Sequence, residues 1–91
     1  MEISYDNNKN HSNKEKHGVP LKLGASVLSD PNRITVLDVR FTYNEDRFVC
    51  YGKVNNRVWV CVFTEREDTI RVISVRKANS REVRRYEQEP R

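Results

Sequence analysis

Cysteine is scarce in this chain, two in 91 residues, and glycine, proline and histidine number only three, three and two. Two cysteines supply neither a disulfide framework nor a four-ligand zinc site of cysteine alone. No apolar run approaches the roughly 18 residues that a membrane-spanning helix needs. The first fifteen residues are rich in Asn and Lys and lack the apolar centre of a secretory signal. The phosphate-cradling P-loop is missing, and so are GxGxxG, HExxH and GxSxG. These absences lead to the expectation of a soluble, cytoplasmic domain that uses no metal and no organic cofactor.

What the chain has instead is charge. Lys and Arg number 17 against 13 Asp and Glu, a net charge of +4, with 33% of residues charged and 36% hydrophobic. Single domains run from about 50 to 250 residues, so one domain is expected over 1–91, with loose ends at 1–5 and 88–91. A domain this small removes only about 60–65% of the unfolded chain's surface from water, and its core is thin. The apolar residues are clustered rather than diluted, which argues against disorder. The positive excess concentrates toward the C-terminus, with eight basic and five acidic residues from Arg66 to Arg91. A polyanion suits such a surface as partner.

The opening stretch is polar. Asp6 fits a helix N-cap, residues 7–16 a helix, and Gly18 the left-handed residue that ends it. Asn, abundant here, is a poor helix former. Pro20 suits the first turn of a second helix with Leu21, Leu23, Val27 and Leu28 as its apolar stripe, stopped at Asp30-Pro31-Asn32. From Ile34 to Arg76 the period changes to two, which predicts strands at about 34–39, 47–54, 57–65 and 69–76. Asn55-Asn56 fits a two-residue type I′ hairpin turn and Glu67-Asp68 a second tight turn. Asn79 and Glu82 form a capping box for a last helix over about 80–87. The expected fold class is α+β: an antiparallel sheet of about four strands, two N-terminal helices and one C-terminal helix.

The two turns fix a register. Arg47, Thr64 and Arg71 then lie side by side on one face, followed by Val62 with Ile73 and Val60 with Val75. Phe48, Phe63 and Val72 take the other face, then Cys50, Cys61 and Ser74, then Gly52, Trp59 and Arg76. Both faces mix apolar residues with arginine, so periodicity leaves open which one the helices cover. The facing cysteines read as small buried hydrophobes in a reducing compartment.

No catalytic triad can be assembled, and Asp38, Glu45 and Asp46 do not make a convergent metal set. Cleavage of RNA demands less. The 2′-hydroxyl is its own nucleophile, so a protein needs only a base, an acid and cations beside the developing phosphorane charge. Lys16, His17, Arg47, Arg66, Arg71 and Arg76 offer cations, and Glu45 or His17 a proton acceptor. Each also has an ordinary explanation. Lys16 and His17 suit the carbonyls and dipole at a helix C-terminus, and Arg81, Arg84 and Arg85 suit a solvated helix face. Arg47 near Arg71 is stranger, because neighbouring like charges in a sheet repel unless a carboxylate or a bound phosphate relieves them. On residue types alone, the structural explanations stand first.

The order of motifs shifts that balance. Asp6-x2-Lys9-x3-Asn13-x2-Lys16-His17-Gly18-Val19 opens the series, followed by Ala25-x-Val27-Leu28-x-Asp30-Pro31, Asp38-x-Arg40 and Glu45-Asp46-Arg47-Phe48-Val49. Thr64-Glu65-Arg66, Arg71-x-Ile73-Ser74-x-Arg76-Lys77-Ala78 and Glu82-x3-Tyr86 complete it. Taken in order, these blocks resemble the BrnT family of type II toxins over residues 3–87. The chain departs from that pattern at Ser4-Tyr5, where the family commonly has Glu-Trp. It departs again at Phe41 in place of a His, at Asn44 in place of a Gly and at Val75 in place of an Ala.

The resemblance implies a small bacterial ribonuclease with a RelE-like fold that inhibits translation by cutting RNA. It implies a BrnA-like antitoxin partner in a two-plus-two heterotetramer, contact with promoter DNA only through that antitoxin, and no membrane partner. Carried over residue by residue, it assigns Lys16, His17, Glu45, Arg47 and Arg71 to catalysis. Arg47 and Arg71 would hold the scissile phosphate, Lys16 or His17 would protonate the leaving 5′ oxygen, and Glu45 would be the base. Arg66, Arg76, Lys77 and Arg81 would bind the RNA. The competing expectation is a non-catalytic basic module that docks nucleic acid or an acidic protein.

Overall fold

In a computed structural model that describes residues 2–38 and 45–90, the chain forms eight elements. They are β1 (Glu2–Ser4), α1 (Asn7–His17), α2 (Leu23–Val27), β2 (Ile34–Leu37), β3 (Arg47–Val54), β4 (Arg57–Arg66), β5 (Thr69–Lys77) and α3 (Ser80–Gln88). The sheet has five strands in the order β1-β5-β4-β3-β2. The expectation of about four antiparallel strands is therefore corrected: β1 is a fifth, and it runs parallel to β5. Three residues are too few to display a period of two, and β1 is held by backbone pairing along Thr69–Arg71 and by Ile3 against the core. β1 opens the sheet ahead of both helices. Arg40, Phe41, Asn44 and the expected strand end at 39 lie outside the described residues. No helix among the described residues is long and apolar enough to cross a membrane.

The turns form as their residues dictate. Asn55 and Asn56 both take positive φ, 50° and 66°, and seat β3 on β4 with Arg47 opposite Thr64 and Cys50 opposite Cys61. Glu67, at φ 54°, opens the next turn, and Thr64 faces Arg71. Further along, the expected pairing slips. A β-bulge between Val62 and Phe63 sets Val62 against Ser74, Cys61 against Val75 and Val60 against Arg76. The expected partners, Ile73, Ser74 and Val75, are each displaced by one residue. The reason is burial: Val72 and Val75 are 1% and 0% exposed in one core, and a regular strand cannot turn residues three apart to one face.

That core holds Cys50, Cys61, Phe63, Val72 and Val75 of the sheet beneath Leu21 and Val27. Pro20–Lys22, expected as helix, forms a tighter turn of i to i−3 bonds that leads into α2. α2 sits so close to the sheet that a Cβ at Gly52 would stand 2.3 Å from the Val27 carbonyl oxygen. On the opposite face, Val83 and Tyr86 of α3 pack on Tyr51, Val58 and Val60. The capping box is present, with the Asn79 side chain accepting from Glu82 N at 2.9 Å.

α1 has no apolar side chain at all. Asp6 caps it, and Gly18 ends it at φ 75°. Two asparagines attach it. Asn10 Oδ1 accepts from Leu21 N at 2.7 Å. Asn13, 4% exposed, accepts from Val75 N at 3.1 Å and donates to the Val75 and Val19 carbonyls, both at 2.9 Å. Its amide therefore acts as a peptide group would, pairing with the edge of β5 where β1 has ended. The asparagines that weaken the helix intrinsically are what fasten it. Replacing Asn13 with Ala leaves buried backbone groups of Val75 unpaired, and should lower the unfolding free energy by about 2–4 kcal/mol. Denaturant titration reads that loss. Asn13→Leu, close in volume, should lose as much because bonds rather than bulk are missing.

Candidate functional site

Among the described residues, the helices cover one face of the sheet and one end of the other. α2 and its leading turn cover one face, and α3 covers the end of the other that carries Tyr51, Val58 and Val60. The row Arg47-Thr64-Arg71 lies on this second face, at the end away from Tyr51 and Val60. The two arginines stand two strands apart, about 10 Å at the backbone, with Thr64 between them. Side chains of that length reach toward one another across such a gap. Both are partly buried. Among the described residues, no hydrogen bond or ion pair engages the Arg71 side chain.

Glu45 and Arg66 border this row. Arg66 Nε donates to Glu45 Oε2 at 2.9 Å and a second guanidinium nitrogen donates to Oε1 at 3.0 Å. The Arg66 hydrogen bond holds the Glu45 carboxyl below the ordinary carboxylate range, and the charges of Arg66, Arg47 and Arg71 add to the effect. One carboxylate and three guanidinium groups thus share a local field.

The other cations lie elsewhere. Ser4 pairs with Arg71 and Asn13 bonds to Val75, so α1 runs along β5 away from the arginine row. About 13 Å of strand separate Arg71 from Val75. Lys16 and His17, in the last turn of α1, belong to that far end, as does Lys77 at the end of β5. Arg81 is exposed on α3 beside Arg84 and Arg85. Arg76, brought by the bulge to the face carrying Arg71, makes two 2.8 Å bonds to Glu82. The thiols are out of play as nucleophiles: burial raises Cys50 and pushes Cys61 up to about 12.

Asp30 and Thr64, to which the sequence assigns no part in the chemistry, stand out in the structure. Asp30 Oδ2 accepts both Lys53 N at 2.7 Å and the Tyr86 hydroxyl, while Oδ1 accepts Asn32 N at 2.9 Å. One carboxylate therefore joins the end of α2, β3 and α3. Thr64 is 1% exposed and its hydroxyl has no partner. Its signal in the sequence was its place between two arginines in the register.

The model of a ribonuclease toxin, BrnT, of type II toxin–antitoxin systems matches residues 5–82. The chain belongs to the BrnT family. No curated protein matches it. The matched segment takes in α1 through the first turn of α3, and so includes the arginine row, Glu45 and the Arg76–Glu82 pair. As a toxin of a type II system, it has an antitoxin for partner. Several family-like blocks hold the fold together here: Asn13 fastens α1, Asp30 and Tyr86 tie α3 down, and Glu82 caps that helix while binding Arg76.

The last pair makes α3 sensitive to acid. The Arg76 hydrogen bond lowers the Glu82 pKa from 4.5, against an opposing effect of burial. A depressed carboxylate contributes stability that is complete above its unfolded pKa and disappears as pH falls through the folded one. Glu82→Gln keeps the capping hydrogen bonds and removes the charge that faces Arg76, and should therefore cost about 1 kcal/mol at pH 7. Melting curves should show the gap between the two proteins closing only below pH 4.5.

Proposed function

We propose that this BrnT-family toxin is a metal-independent endoribonuclease that inhibits translation in the cytoplasm, with Arg47 and Arg71 on the scissile phosphate. The observation that carries this reading is the juxtaposition of two arginines on a part of the sheet that neither α2 nor α3 covers, with Thr64 between them. Guanidinium groups match phosphate oxygens through paired hydrogen bonds and neutralise the charge that builds on a phosphorane. The substrate's own 2′-hydroxyl gives its proton to Glu45 and attacks the adjacent phosphorus, and the 5′ oxygen leaves as a hydroxyl by taking a proton from solvent, giving a 2′,3′-cyclic phosphate. No metal is needed for that displacement.

Glu45 is the carboxylate that shares the field of the pair, and it is the base in this reading. Its lowered pKa keeps it ionised and ready to accept a proton at neutral pH, at some loss of driving force. Arg66, bound to both of its oxygens, orients it and lies where a neighbouring phosphate is within reach. Lys16 and His17, at the far end of β5, serve an adjoining stretch of RNA with Lys77 and Arg81, rather than the leaving oxygen. Arg76 is committed to Glu82 and acts through the docking of α3. A BrnA-like antitoxin, in a two-plus-two assembly, silences the toxin by covering Arg47 and Arg71, and reaches promoter DNA on the toxin's behalf.

Purified protein incubated with RNA in EDTA should leave cyclic phosphate ends. Arg71→Ala should slow cleavage by about 100- to 1,000-fold, as loss of a group aimed at transition-state charge does. His17→Ala should slow it far less. The acidic limb of the rate profile should lie below pH 4.5, because Glu45 titrates below that value. Intact RNA, or cleavage that survives Arg71→Ala, contradicts the reading.

A further inference from the structure

Thr64 Oγ1 is the buried side-chain oxygen that finds no hydrogen-bond partner among the described residues. A buried hydroxyl in that condition is destabilising, and an apolar isostere in its place is neutral or better. Valine has the same shape as threonine, and neighbouring β4 positions are valine already, at 58, 60 and 62. A hydroxyl at this place therefore needs a reason other than packing.

Its surroundings supply one. Thr64 is directly opposite Arg47 on one side and Arg71 on the other, on the same face of the sheet. Guanidinium groups have donors and no acceptor, so neither arginine can take the hydroxyl proton. The hydroxyl oxygen could accept from either guanidinium but does not here, so its proton is what lacks a partner, and between two cations the acceptor best suited to it is an anion. α2 packs on the opposite face and α3 at the other end of this one, so neither helix covers the row; Thr64 itself is 1% exposed, so an anion reaches its hydroxyl only as the side chains around it part.

We propose that Thr64 Oγ1 donates a hydrogen bond to a non-bridging oxygen of the RNA phosphate gripped between Arg47 and Arg71. The two forks then fix the anion from its sides and the hydroxyl fixes it from the floor, which selects a tetrahedral group over a planar carboxylate. This rests on the nuclease reading for the identity of the ligand. It makes Thr64 a phosphate-binding residue maintained at the expense of stability.

The test compares wild type, Thr64→Val and Thr64→Ser. Binding is measured with a 2′-O-methyl oligoribonucleotide, which cannot be cleaved, and melting is measured without RNA. Thr64→Val should bind roughly 10- to 100-fold more weakly, the value of a hydrogen bond to a charged group. It should also melt no lower than wild type. Thr64→Ser, which keeps the hydroxyl, should bind within about threefold of wild type. If valine is not accommodated, Thr64→Ala compared with Thr64→Ser gives the same contrast in binding. Undiminished binding by Thr64→Val overturns the proposal, and so does a parallel loss of melting temperature and binding in both variants, which marks a packing role. Cleavage of unmodified RNA by wild type is read separately. Active wild type with undiminished Thr64→Val binding removes the role of Thr64 and keeps the nuclease. Inactive wild type with weakened Thr64→Val binding removes the nuclease and keeps the phosphate site.

Discussion

One extra residue in β5 decides which side chains share a face, and most of the arrangement follows from it. Without the bulge at Val62/Phe63, Val75 would leave the core and Arg76 would point toward α2. With it, Val72 and Val75 both pack beneath the helix, and Arg71 and Arg76 both emerge on the other side. Arg76 then meets Glu82 and secures the start of α3, while Arg71 remains at the open end beside Thr64. A single irregularity thus reconciles a continuous core with two arginines given different tasks.

Those tasks separate on electrostatic grounds. Arg66 and Arg76 each form a two-pronged pair with a carboxylate, and each raises its own pKa in doing so. The first pair is exposed to water and contributes little to stability. The second is more enclosed and is joined to a helix cap. Arg71 has no such commitment among the described residues. A cation left available among the described residues, partly buried on a part of the sheet that neither α2 nor α3 covers, is one that a phosphate can use. The local field therefore favours the residues that the proposed ribonuclease chemistry uses.

Much of this was legible in the sequence, and the parts that were not share a cause. The Asn55-Asn56 turn, Gly18 and the Asn79–Glu82 box are local signals, each confined to a few consecutive residues, and each forms as read. The row Arg47-Thr64-Arg71 could be counted from two turns because both loops are tight. β1 was missed because its stability comes from pairing with residues some 65 positions away, and three residues display no period of their own. The bulge was hidden because it is a compromise between two buried valines and a helix, visible only as the odd spacing of Val72 and Val75. α1 looked weak on propensity because its attachment is tertiary, through Asn10 and Asn13. Motif matching placed Lys16, His17, Arg47 and Arg71 in one list, whereas the fold puts a length of strand between the two pairs.

The central claim is that a single phosphate sits between the guanidinium groups of Arg47 and Arg71. A crystal structure with a non-cleavable dinucleotide that carries one phosphodiester tests it without reference to rate or stability. The account predicts that phosphate within hydrogen-bonding distance of both side chains. A dinucleotide seated instead along α1 at Lys16 and His17, or on the arginines of α3, with Arg47 and Arg71 untouched, would contradict it.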